Sequence, residues 1–76
     1  MKVKEFISIV DCSYITICYA GFGERIYKGP LTGNIPTHAL EYYVTYILPG
    51  NDKVYIEVHE NAYFSIPKED ENAILN

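Results

Sequence analysis

The chain has 76 residues, a formal net charge of −4, 49% hydrophobic and 21% charged residues, two cysteines, eight tyrosines and no tryptophan. This length holds one small domain, which buries only about 60% of its unfolded surface, so self-association into a homodimer or larger is expected to supplement the core. The composition excludes global disorder, and no apolar run nears the roughly 18 residues that cross a bilayer. Six basic residues are scattered as Lys2, Lys4, Arg25, Lys28, Lys53 and Lys68. That argues against direct nucleic-acid binding, because phosphate neutralisation needs them clustered. Residues 6–10 are too short an apolar run for a secretory segment and are cut off by Asp11, so a soluble cytoplasmic protein with two free thiols is expected.

The spacing of Val3, Phe6, Ile7 and Val10 at i, i+3, i+4 and i+7 predicts a two-turn helix with one apolar face. Asp11, Cys12 and Ser13 break that period. Residues 14–19 then alternate Ile15, Ile17 and Tyr19 against Tyr14, Thr16 and Cys18 in β-branched and aromatic composition, which predicts a first strand. Gly21 and Gly23 mark a hairpin loop, and residues 24–28 read as a second strand ended by Gly29 and Pro30. Pro36 followed by residues 37–41 predicts a short helical turn. Strand composition resumes over 43–48, the cluster Pro49, Gly50, Asn51 and Asp52 is a turn, and residues 53–59 alternate cleanly. Val54, Ile56 and Val58 face one way, with Tyr55, Glu57 and His59 opposite.

Together these elements predict an α+β fold: an antiparallel sheet of four or five strands in two hairpins, an N-terminal helix on the Val54 side, and a short helical turn between the hairpins. Residues 1–67 are expected to form the single domain, with a short fifth strand after His59, within residues 60–67, as an option, and 68–76 an acidic tail with an apolar tip at Ile74 and Leu75. The expected core is Phe6, Ile7, Val10, Ile15, Ile17, Ile26, Leu40, Val54, Ile56 and Val58.

Catalysis has little to stand on. A nucleophilic site would have to draw on Cys12 or Cys18, His38 or His59, and Asp11. However, Cys18 falls mid-strand, and Cys12 follows a helix end, where the dipole opposes a thiolate. Glu57 and His59 share a strand face, yet metal binding needs further ligands that the sequence does not identify, so a solvated polar face is the simpler reading. Gly21, Phe22 and Gly23 lack the strand, helix and acidic residue of a dinucleotide fingerprint. No enzyme, metal or cofactor is expected.

The tyrosine excess is the distinctive feature, since tyrosine combines apolar area with a hydroxyl that tolerates water and is enriched at interfaces. By alternation either Tyr43 or Tyr46, but not both, joins Tyr55 on one sheet face. Cross-strand aromatic packing is one outcome. A partner-binding surface of Tyr43, Tyr46, Tyr55, Glu57, His59 and Glu60 is the other. Arg25, Tyr27 and Lys28, beside the loop of residues 28–34, are candidate ligand contacts.

The segments KVKEFISIVD (2–11), ITI (15–17), IYKG (26–29) and NIP (34–36), with the final alternating strand, resemble small accessory proteins encoded by phages and prophages of Gram-positive bacteria. The resemblance runs over residues 2–59. The sequence departs from their acidic turn after the first strand, where it has Ala20 to Gly23. The resemblance implies a non-catalytic counter-defence protein acting in the host cytoplasm. One form is an inhibitor of a host protein, as an anti-CRISPR is, with Glu57, Glu60, Glu69, Asp70 and Glu71 mimicking nucleic-acid charge. A second is an oligomeric sponge for a nucleotide signal, with tyrosine faces and Arg25 or Lys28 against phosphate. A structural or assembly role is the third.

Overall fold

A computed structural model describes residues 1–64 of the chain. Its elements are α1 (Val3–Ile9), β1 (Tyr14–Tyr19), β2 (Arg25–Pro30), α2 (Thr37–Leu40), β3 (Tyr43–Pro49), β4 (Lys53–His59) and a 3-10 turn at Ala62–Phe64. The fold is α+β, with the four strands in one sheet ordered β2-β1-β4-β3. The domain boundary expected at 67 and the acidic tail from 68 lie outside the described residues, and Ala62–Phe64 forms the 3-10 turn where a fifth strand was an option.

The sheet is mixed and not wholly antiparallel: two antiparallel hairpins, β1–β2 and β3–β4, are joined by a parallel β1–β4 pair at the centre. The cause is the connection over residues 31–42, which includes α2 and carries the chain from one sheet edge to the other. Such a crossover, unlike a tight turn, returns the chain in the same direction. The parallel register is pinned at one end by the β3–β4 turn. The Asp52 carbonyl accepts the Ser13 and Tyr14 N–H groups at 3.2 and 3.3 Å, and Asp52 Oδ1 accepts Ser13 N–H at 3.1 Å. At the other end Ala20 N–H donates to the Val58 carbonyl at 2.8 Å.

Helix α1 begins where the Glu5 carboxylate reaches back to accept the Lys2 N–H at 3.0 Å, satisfying a donor the helix leaves open. It ends at Val10, which turns extended (φ −78°, ψ 138°) while its N–H still donates to the Phe6 carbonyl. Val3 and Phe6 point into the core with Met1, Ile15, Ile17, Val44, Val54, Ile56 and Val58. Of the remaining core expectations, Ile7, Val10, Ile26 and Leu40 are half-buried and pack against that cluster, while Ala39, on α2, is fully buried.

The N-terminal residues also guard an edge. Val44 N–H donates to the Met1 carbonyl and Val3 N–H to the Tyr42 carbonyl, both at 2.9 Å, so the start of β3 is paired and not exposed. Strand β2, the opposite edge, closes on Pro30, which offers no N–H to a neighbour. Among the described residues no helix is long and apolar enough to cross a membrane.

Candidate functional site: the uncovered sheet face

Both helices lie on the Val54 side, so among the described residues no α-helix covers the other side of the sheet, which the β1–β2 loop and the 3-10 turn flank at one end. Strand registers place three rows of side chains there. Pro30, Tyr14 and Lys53 form the first, Lys28, Thr16, Tyr55 and Leu48 the second, and Arg25, Cys18, Glu57 and Tyr46 the third. Tyr14 is 56% exposed, Leu48 53% and Tyr46 45%. Three large apolar side chains on one face of so small a sheet are more than scattered surface hydrophobics.

Glu57 is the exception to this exposure, at 7%. Its Oε2 accepts the Tyr55 hydroxyl at 2.7 Å and its Oε1 the Gly21 N–H at 3.2 Å. The second bond ties the β1–β2 loop to the sheet. Gly21 (φ 77°) and Phe22 (φ 58°) take left-handed backbone there, and Phe22 is left 89% exposed at the loop tip. The Glu57 carboxylate, which accepts the Tyr55 proton, pushes the Tyr55 hydroxyl well above the ordinary tyrosine range, and burial adds to the shift. A raised folded-state value stabilises the fold below the ordinary tyrosine pKa, and that stability is lost as pH rises beyond it. The urea midpoint is therefore expected to fall from about pH 9 to about pH 11, less so in Tyr55→Phe, with tyrosinate absorbance reporting the ionisation.

Two hollows open on this face. One, of about 910 Å³, lies against the β3–β4 turn and is lined by Tyr14, Lys28, Leu48, Lys53 and Tyr55 among others. The second, of about 680 Å³, lies under the β1–β2 loop and is lined by Phe22, Tyr46, Glu57, His59 and Phe64 among others.

The candidate partner residues are only partly united. Tyr46 and Tyr55 meet edge to face, with ring centroids 6.4 Å apart. A bulge between Val44 and Tyr46 changes the parity of β3, so Tyr43 pairs with His59 and Tyr46 with Glu57, and both tyrosines fall opposite residues of the Tyr55 face. Strict alternation forbids that arrangement. Tyr43 also holds the Lys2 ammonium 5.6 Å from its ring centroid. His59 sits between the Tyr19 and Phe64 rings, each 5.2 Å away, and its Nδ1 accepts the Asn61 N–H. Glu60 accepts the Tyr19 hydroxyl at 2.8 Å. The acidic surface expected from Glu57 and Glu60 is thus drawn into hydrogen bonds, and Glu69, Asp70 and Glu71 lie outside the described residues.

Arg25 and Lys28 share the uncovered face, but register puts Tyr27 on the helix side, where its hydroxyl donates to the Pro30 carbonyl at 2.7 Å. The three ligand candidates are not brought together. Cys12 donates to the Tyr14 carbonyl, and burial, aided by Asp52 and Asp11, pushes its thiol up, away from the nucleophilic thiolate. Among the described residues His38 and His59 rest on aromatic rings, and the hydrogen bonds of Cys12 and His59 go to the Tyr14 carbonyl and the Asn61 N–H and not to each other. Among the described residues no group of three or more His, Cys, Asp or Glu is placed to hold a metal.

No protein-family model matches the chain, and no curated protein or solved structure matches it. Sequence reasoning missed Tyr14, Phe22, Leu48 and Lys53. The alternation of residues 14–18 and 53–59 gave the phase of Tyr14 and Lys53 and put the helix on the Val54 side. Which residues of separate strands become neighbours on the opposite face depends on strand order and register, which no local pattern shows.

Proposed function

We propose that the protein is a non-enzymatic accessory protein that binds a host protein in the cytoplasm and inhibits it, using the uncovered sheet face as its contact surface. The observation that supports this is the row arrangement of Tyr14, Tyr46, Tyr55 and Leu48 on a face that neither helix covers. Such aromatic anchors, flanked by cations, have the composition of binding hot spots. The inhibitory role rests on the resemblance of the sequence to phage accessory proteins. Sequestration of a nucleotide has less support, because Tyr27 lies across the sheet from Arg25 and Lys28.

The test is capture from bacterial lysate read by native mass spectrometry, comparing the natural chain with a Tyr46→Ala, Leu48→Ser double variant. Ile9→Ser, at an exposed residue of α1, serves as the control on the helix side. A stoichiometric protein partner is expected, with binding weakened by about 30-fold or more in the double variant and unchanged in the control. Equal capture by all three proteins, a self-complex with no host protein, or substrate turnover overturns the reading.

A further inference from the structure

We infer that the partner presents an acidic segment to this face, with an apolar side chain seated in the hollow at the β3–β4 turn and carboxylates on Lys28 and Lys53. The inference rests on the docking role proposed for the uncovered face and specifies the chemistry of what docks there.

Charge distribution carries it. The chain is acidic overall, at −4, yet the exposed charged residues in the three rows of this face are Arg25, Lys28 and Lys53. On the helix side, Lys4 and Lys2 hold Glu41 at 3.0 and 3.2 Å, and their ammonium groups keep its carboxyl below the usual range. Among the described residues, that leaves Arg25, Lys28 and Lys53, and none of them forms an ion pair. Of the anions near them, Glu57 is buried against Tyr55 and Gly21, while Asp52, exposed at the turn with one oxygen accepting Ser13 N–H, and Glu24, exposed beside Arg25, form no ion pair with these cations. A second copy would bring the same cations against each other, whereas a carboxylate-bearing partner would neutralise them.

Spacing narrows the partner further. Lys28 pairs with Thr16 and Lys53 with Tyr14, so they stand two strands apart and one row apart, with Tyr14 and Thr16 of β1 between them and Tyr55 beside Lys53 on β4. From ordinary strand dimensions that separation is about 12 Å. An extended segment sends residues i, i+2 and i+4 to one side over about 13 Å. A glutamate, an apolar residue and a glutamate at those positions therefore match lysine, hollow and lysine.

A fluorescein-labelled peptide GESLSEG and its glutamine counterpart GQSLSQG, titrated against the full chain by anisotropy, test this. Saturable binding of the glutamate peptide is expected, weakened tenfold or more by Lys28→Glu, by Lys53→Glu and by the glutamine exchange, and weakened by salt. No saturation at about 1 mM, equal binding of both peptides, or indifference to either lysine change overturns it. Displacement of the peptide by a nucleoside triphosphate with higher affinity assigns the hollow to a small anion and also overturns it. If the captured protein partner depends on Tyr46 and Leu48 but not on Lys28 or Lys53, the docking role stands and the acidic segment falls. If it depends on none of them, both fall.

Discussion

Replacing Phe6 with alanine is expected to remove a large part of the protein's stability at 25 °C, and all of it at the low end of the range for a domain this small. Phe6 is the largest fully buried side chain, contributed by α1 to a cluster that also takes residues from β1, β3 and β4. Truncating a buried phenylalanine costs about 3–5 kcal/mol, through lost transfer energy and the cavity left behind. A domain of this size has about 4–11 kcal/mol in total, at 0.05–0.15 kcal/mol per residue. The helix is short and cannot persist without its packed face, so the loss also frees the Met1 and Val3 backbone bonds that guard β3. Circular dichroism and a urea titration should show a lost or strongly shifted transition. Ile17→Val, at another fully buried site, removes one methyl group, costs about 0.5–1.5 kcal/mol and should keep a cooperative transition. A cooperative, nearly unshifted transition in Phe6→Ala would show that the helix is not the second layer of the core.

The elements themselves were legible because each has a local period. Val3 and Phe6 carry the helical spacing, and Ile15 with Ile17, like Val54 with Ile56 and Val58, carry the strand alternation. All of them end in the core. What local pattern cannot show is how segments far apart pair. The contact that fixes the centre of the sheet joins Ser13 to Asp52 across 39 positions, and nothing in either segment distinguishes a parallel neighbour from an antiparallel one. The same limit applies at the bulge before Tyr46. One extra residue reverses the parity of β3, and the sequence around Thr45 shows no sign of it.

The candidate surface was legible only in part. The tyrosine count pointed to an interface, and the phase of residues 53–59 placed Tyr55 on it. Leu48 reads as one more strand residue, and Phe22 as one more loop residue, until the sheet is assembled and neither helix reaches them. Glu57 misleads in the opposite direction. As a charged residue between Ile56 and Val58 it reads as solvent-facing, whereas the β1–β2 loop folds over it and Tyr55 closes from the side. Its charge is therefore spent on local architecture and not displayed to a partner.

That burial sets the second large effect. Glu57→Ala is expected to cost about 2–3 kcal/mol, because it deprives the Tyr55 hydroxyl and the Gly21 N–H of a charged acceptor and opens space beneath the loop. Part of the cost is recovered elsewhere, since a carboxylate buried without a cation is itself unfavourable, so the net loss stays below the sum of two charged hydrogen bonds. Glu57→Gln separates the contributions. The amide fills the same volume and keeps one acceptor oxygen, so most of the stability should remain. The negative charge that holds the Tyr55 proton is gone, so the Tyr55 hydroxyl should ionise closer to the ordinary tyrosine value. Amide exchange gives the structural readout: Gly21 should exchange faster in Glu57→Ala than in the natural chain, and the Ala20 amide, bonded to the Val58 carbonyl, should change little. Faster exchange confined to the loop would mean that Glu57 orders the segment carrying Phe22 without holding the sheet together. Equal exchange at Gly21 in both proteins would mean that the loop is set by its own left-handed turn, and that Phe22 owes its position to Gly21 alone.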